Sequence, residues 1–126
     1  MKKLALIALF YMALSASHVS WLGDYDRALE KANKESKPLL VLLIKNDCNS
    51  CKSVVKEVFS NKEYIDKINK EYVAVIINYD NQHYPIELFY STVFPTLFLV
   101  DSKSETFLHK PLYNKEIVEK TVAKLF

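Results

Sequence analysis

Leu39-Leu40-Val41-Leu42-Leu43-Ile44 is a run of six consecutive apolar residues. An uninterrupted run of that length marks a strand covered on both faces of a sheet. Shortly after it come the chain's only two cysteines, Cys48 and Cys51, and then Val54, Val55, Val58 and Phe59, which repeat at helical spacing. A buried strand that runs through Cys-x-x-Cys into a helix sets the first sulfur beside unpaired backbone N–H groups and the positive end of the helix dipole. Both favour thiolate over thiol. Cys51, one turn further in, is placed to attack any mixed disulfide formed at Cys48, which is the geometry of dithiol–disulfide exchange.

The remainder of the chain narrows the setting. A length of 126 residues at 50% hydrophobic content supports one domain around one core. The formal charge of +2 is accounted for by Lys2 and Lys3 alone. The body of the chain is therefore balanced and offers no reason to expect a nucleic acid partner. Met1-Lys2-Lys3, an apolar run from Leu4 to Leu14 and the mostly small residues Ala13 to Ser17 read as a signal peptide over residues 1–17, cleaved after Ser15 or Ser17. The apolar stretch is shorter than the roughly 20 residues a spanning helix needs, so no membrane span is expected after cleavage. Export, to a periplasm or an equivalent compartment, is where disulfides persist. Gly23 is the single glycine, so turns must draw on Asn, Asp, Ser and Pro.

Residues 18–126 are read as the folded domain. A helix capped by Asp24 carries Tyr25, Ala28, Leu29 and Ala32 on one face, and Pro38 opens the strand 39–44. The helix after the cysteines runs to about Phe59. Ser60-Asn61-Lys62-Glu63 has the form of a capping box for a second helix ending near Asn69. Tyr72 to Ile77 is a second buried strand, and two intervening helices allow parallel pairing. Pro85 opens a short helix through Tyr90. Val93 to Val100 is a third strand with its proline near the start. Asp101 to Ser104 is a turn into a fourth strand, Thr106 to His109, and Asn114 caps a last helix. Phe89 and Phe94 are read as core, the neighbouring tyrosines as half-buried, and Trp21 as a packing residue.

Helix, buried strand, Cys-x-x-Cys, helix, strand and then a Phe94-Pro95-Thr96 strand and hairpin is an order that resembles the thioredoxin-like superfamily, over roughly residues 21 to 126. Ala28 to Ala32, Lys37 to Val41, Cys51-Lys52 and Lys56 to Ser60 look like its exported branch. The resemblance implies an α/β fold with a central mixed four-stranded sheet flanked by helices on both faces. It implies a cis Pro95 facing the cysteines, with Phe94, Pro95 and Thr96 presenting backbone groups to a bound substrate. It further implies an exported thiol–disulfide oxidoreductase, a reductase or isomerase rather than an oxidant. Such an enzyme acts on thiol- or disulfide-containing proteins and is reset by a membrane electron donor. No organic cofactor is required. Three features depart from the family: Asp47 and Asn49-Ser50 stand where thioredoxin has Trp before the pair and Gly-Pro within it, Leu42 replaces the buried aspartate that accepts a proton from the resolving thiol, and the residue before the cis proline is the bulky Phe94, which narrows the substrate groove.

In this reading Cys48, the more exposed sulfur, attacks and Cys51 resolves. Lys45 and Lys52 favour the Cys48 thiolate and Asp47 opposes it. The alternative is a non-enzymatic module of the same fold, a Cu(I) carrier or a binding domain with a static disulfide. Lys52 after Cys51 excludes the Cys-x-x-Cys-His of covalent haem. Two cysteines with His18, His83 and His109 scattered along the chain do not make a structural zinc site.

Overall fold

The computed structural model describes residues 18–125. The expected signal peptide lies outside the described residues. The apolar run is the central strand β1 (Leu39–Ile44). It pairs in parallel with β2 (Val73–Asn78), from Leu39 opposite Val73 to Ile44 opposite Asn78. On its other side it pairs antiparallel with β3 (Thr96–Val100), from Leu39 opposite Val100 to Leu43 opposite Thr96. Beyond β3 lies β4 (Leu112–Tyr113), which gives a mixed sheet in the order β2-β1-β3-β4.

Strand alternation divides the six residues of β1 between two cores. Leu40 and Leu42 point into one cluster with Val54, Val58, Phe59, Ile65, Ile68, Ile117 and Val122. Leu39, Val41 and Leu43 point into the other, with Tyr25, Ala28, Ala32, Phe89 and Phe98. The first side is covered by α2 (Asn49–Glu57), α3 (Lys62–Glu71) and the short α4 (Glu119–Val122), the second by α1 (Tyr25–Glu35). A run with no polar member is what a strand between two helical layers requires. Trp21 packs edge-on against Phe59 with centroids 5.3 Å apart, as a packing residue should.

The caps follow local chemistry. The Asp24 carboxylate accepts from the Arg27 N–H at 3.2 Å and so starts α1. With one glycine in the chain, the left-handed positions fall to Ser36, Asp47, Gln82, Glu105 and Asn114. Ser, Asp and Asn were the expected types, whereas Gln82 and Glu105 were not.

Several boundaries differ from the sequence reading. The cap of α3 is Asn61, whose side chain accepts from the Glu63 N–H at 3.0 Å. Ser60 instead donates back to the Lys56 carbonyl, closing the previous helix. The fourth strand is not 106–109, because Phe107 makes only an isolated bridge to Val100 and the pairing strand is Leu112–Tyr113. The segment after Pro85 is a single turn, with the Phe89 N–H reaching the Pro85 carbonyl at 3.1 Å. Strand β3 begins at Thr96 and not Val93, since residues 92–95 bend. Asn114 opens a 3-10 turn (Asn114–Glu116), and α4 starts separately after Val118. No helix among the described residues is long and apolar enough to cross a membrane.

Candidate active site

At the end of β1 the chain leaves the sheet through Lys45-Asn46-Asp47. Three contacts from the β2 side fix that turn. The Tyr79 N–H donates to the Ile44 carbonyl at 2.9 Å, the Asn46 N–H donates to the Asp80 carboxylate at 2.6 Å, and the Asn78 amide donates to Asn46 Oδ1 at 3.0 Å. Asp47 then takes a left-handed conformation, φ 52°, which a short polar side chain tolerates better than most. The next residue is the cap of α2. It is Cys48.

Cys48 Sγ accepts from the Cys51 N–H at 3.1 Å, as a serine or aspartate cap would, and it is bonded to Cys51 Sγ across a Cα separation of 5.3 Å. A helix therefore begins on a sulfur. Exposure does not separate the two cysteines as expected: Cys48 is 6% exposed and Cys51 4%. Position does, because Cys48 is the cap and Cys51 lies inside the first turn.

The second half of the site arrives from the far side of the chain. The Phe94–Pro95 peptide is cis, and the loop it belongs to meets the cysteine turn through Ser50 and Lys45. Ser50 Oγ donates to the Phe94 carbonyl at 3.2 Å and stands 3.4 Å from Cys48 Sγ. Phe94 is half-buried, not core. Its ring packs on Tyr79 at 5.2 Å, with the Lys45 ammonium 5.2 Å from its centroid. Tyr79 and Tyr90 are exposed rather than half-buried. Pro95 is buried, and its carbonyl accepts from the Asn114 N–H at 2.8 Å.

Thr96 is fully buried and contributes from beneath the loop. Its hydroxyl lies 2.6 Å from the Val93 carbonyl and 2.9 Å from Ser91 Oγ, and Ser91 Oγ is also 2.9 Å from the Val93 carbonyl. Two hydroxyl protons are thus shared among three contacts. Ser91, 7% exposed, was missed from sequence because a loop serine carries no local signal of burial. Thr96→Val removes one of those protons without changing the shape. It is expected to lower stability by about 1–2 kcal/mol, read as a lower urea midpoint at unchanged slope.

Against the Cys48–Cys51 bond lies an open cleft of about 680 Å³, lined by Ile44, Val55, Asn78 and the polar residues of the cysteine turn. Loss of the disulfide would leave two sulfurs at a helix start, beside a cleft and beside a loop fixed by a cis proline. That arrangement can form a thiolate and hold an incoming chain. Leu42 is fully buried, so the core beneath the cysteines holds no carboxylate at that position.

Comparison with known proteins decides the lineage. A family model described as thioredoxin-like matches residues 20–102, more than half of the chain. The chain belongs to the thioredoxin-like family. Within this family it is similar to the thioredoxin-related protein DsbJ of Chlamydia pneumoniae, 29% identical over 91 residues that cover 63% of this chain and 26% of that protein. It is also similar to anterior gradient protein 2 of Xenopus tropicalis, 32% identical over 63 residues covering 50% of this chain and 38% of that one. The chain thus spans about a quarter to two fifths of these curated relatives. Among solved structures, a thioredoxin from Thermus thermophilus superposes with a TM-score of 0.69 at 16% identity, covering 86% of this chain and 84% of that one. At that identity the likeness speaks for the thioredoxin-like fold, including the mixed sheet with helices on both faces.

Proposed function

We propose that this thioredoxin-like protein is an exported thiol–disulfide oxidoreductase that exchanges disulfides with protein partners, Cys48 attacking and Cys51 resolving. The observation that carries the reading is the Ser50 bridge, which puts the cap sulfur of α2 and the Phe94 carbonyl before the cis proline within reach of one hydroxyl. Sulfur chemistry and a chain-binding edge stand side by side.

In the reduced state the Cys48 sulfur is the natural site of negative charge. The Cys51 N–H and the dipole of a nine-residue helix both favour its thiolate. That thiolate attacks a partner disulfide, and a bond forms between Cys48 and one partner sulfur as the other leaves with the electron pair. Cys51 then attacks Cys48, releases the partner as a thiol and restores the 48–51 bond, so the partner gains two electrons and the pair loses them. Phe94, Pro95 and Thr96 form the edge on which the partner backbone lies, Thr96 by supporting the loop. Asp47, directly before Cys48, works against the strongly stabilised thiolate that makes an oxidant, which favours reduction or isomerisation. Export is supported by the basic, apolar and small-residue pattern of residues 1–17. An exported reductant draws electrons from a membrane donor.

Dithiothreitol-driven reduction of a disulfide-linked two-chain protein, followed by turbidity, tests the activity. A rate proportional to the concentration of this protein is expected, and a rate equal to dithiothreitol alone contradicts it. Ser50→Ala removes the hydrogen bond that ties the start of α2 to the Phe94 carbonyl and is expected to lower stability by about 0.5–1.5 kcal/mol, the net worth of one hydrogen bond, read as a lower urea midpoint.

A further inference from the structure

Three lysines share the cleft beside the disulfide. Lys52 and Lys56 stand one helical turn apart on α2, and Lys45 closes the cleft from the turn after β1. Along the sequence they lie close together around the cysteines but form no consecutive basic run. Asp47 is the single acidic residue lining the cleft. Asp80, which accepts the Asn46 N–H, does not line the cleft. Both ion pairs found among the described residues belong to Glu35, with Lys31 and Lys37. Lys52 and Lys56 are exposed and belong to neither ion pair. The floor between them is apolar, formed by Ile44 and Val55.

We infer that this cleft selects partners by charge: it receives an extended acidic segment flanking the target cysteine of the partner polypeptide. The inference rests on the exchange reading above and names the substrate class for the same sulfurs. Four residues of helix advance about 6 Å, close to two residues of extended chain. Carboxylates two positions apart in the partner therefore match Lys52 and Lys56 while its cysteine sits at Cys48. The cleft extends a full turn beyond Cys51, which suits a peptide segment better than a small thiol held at the sulfur alone. Electrostatic attraction of this kind acts mainly on the rate of encounter and is screened by salt.

The test uses the reduced protein and three short peptides that differ only in flanks (Glu-rich, neutral and Lys-rich), each with one cysteine capped as a mixed disulfide with pyridine-2-thiol. Cys48 bonds to the peptide sulfur and pyridine-2-thiol leaves with the electron pair. Cys51 then displaces the peptide thiol and closes the 48–51 bond. Release of the leaving group gives the rate, and the ratio between peptides cancels any change in thiolate reactivity. At low salt the acidic peptide is expected to react at least about tenfold faster than the basic one, a preference falling to about twofold or less at high salt. The Lys52→Glu, Lys56→Glu double variant is expected to invert the ratio, and Lys52→Gln, Lys56→Gln to flatten it. Equal rates for all three peptides in the wild type, or a ratio unmoved in both variants, overturn the charge selection and leave exchange standing. No release from any peptide overturns both. An acid preference seen with glutathione disulfide over cystamine but absent with the peptides reassigns the cleft to small anionic thiols and overturns the polypeptide partner.

Discussion

Cys51→Ser is expected to accumulate covalent complexes with a disulfide-bonded test protein, and Cys48→Ser to form none, with turnover in both variants at the uncatalysed rate. The asymmetry follows from place. Cys48 is the cap residue, where the α2 dipole and the Cys51 N–H favour its anion and the cleft opens beside it. Cys51 sits in the first turn, 5.3 Å away by Cα, placed to displace whatever Cys48 has captured. Removing the displacing thiol stops the cycle at the mixed disulfide, whereas removing the capturing one prevents entry. Non-reducing gels followed by mass spectrometry of the adducts read the outcome. Trapping through Cys51 in Cys48→Ser would reverse the assignment. Absence of trapping in both variants would favour a static bridge.

Phe89→Ala is expected to cost about 3–5 kcal/mol, a large share of the roughly 5–15 kcal/mol that holds a domain of this kind folded. Phe89 is fully buried and meets two other rings edge-on, Tyr25 at 5.2 Å and Phe98 at 5.1 Å. It thereby joins α1 to β3 from the turn that leads into the cis-proline loop. Truncation empties a volume between three elements that cannot close together without moving the sheet. Tyr90→Ala, next in sequence but 69% exposed, is expected to change stability by no more than about 0.5 kcal/mol. Urea unfolding of both variants measures the contrast, and a loss below about 1 kcal/mol for Phe89→Ala would show that the cluster is not the support described.

The sequence was legible where one short stretch carries its whole environment. Leu39 to Ile44 is apolar at every position because both faces of β1 are covered, and the cysteines follow it because a strand end and a helix start are local events. Legibility failed where a distant group decides. Thr106 to His109 has strand-like residues, yet Phe107 is drawn onto the Phe98 ring at 5.5 Å, and the edge of β3 is left to Leu112 and Tyr113. Asn114 looked like a helix cap, but its N–H is taken by the Pro95 carbonyl and its φ of 37° interrupts the chain there. Within the site the two cysteines and Pro95 were readable from spacing and resemblance. The Ser50 bond to Phe94 spans 44 positions, and no pattern within either segment announces it. Lys45 and Lys52 were readable beside Cys48, whereas Lys56 joins them only through the turn of α2, which a charge balance summed over the chain does not show.

The most direct test of the central claim is the equilibrium of the Cys48–Cys51 pair with glutathione or dithiothreitol buffers, read by thiol labelling and mass. Reversible exchange is expected, with a midpoint nearer the roughly −270 mV of a reductant than the roughly −120 mV of a strong oxidant. A pair that stays oxidised in buffers below about −300 mV would be a structural bridge, and the exchange account would be wrong.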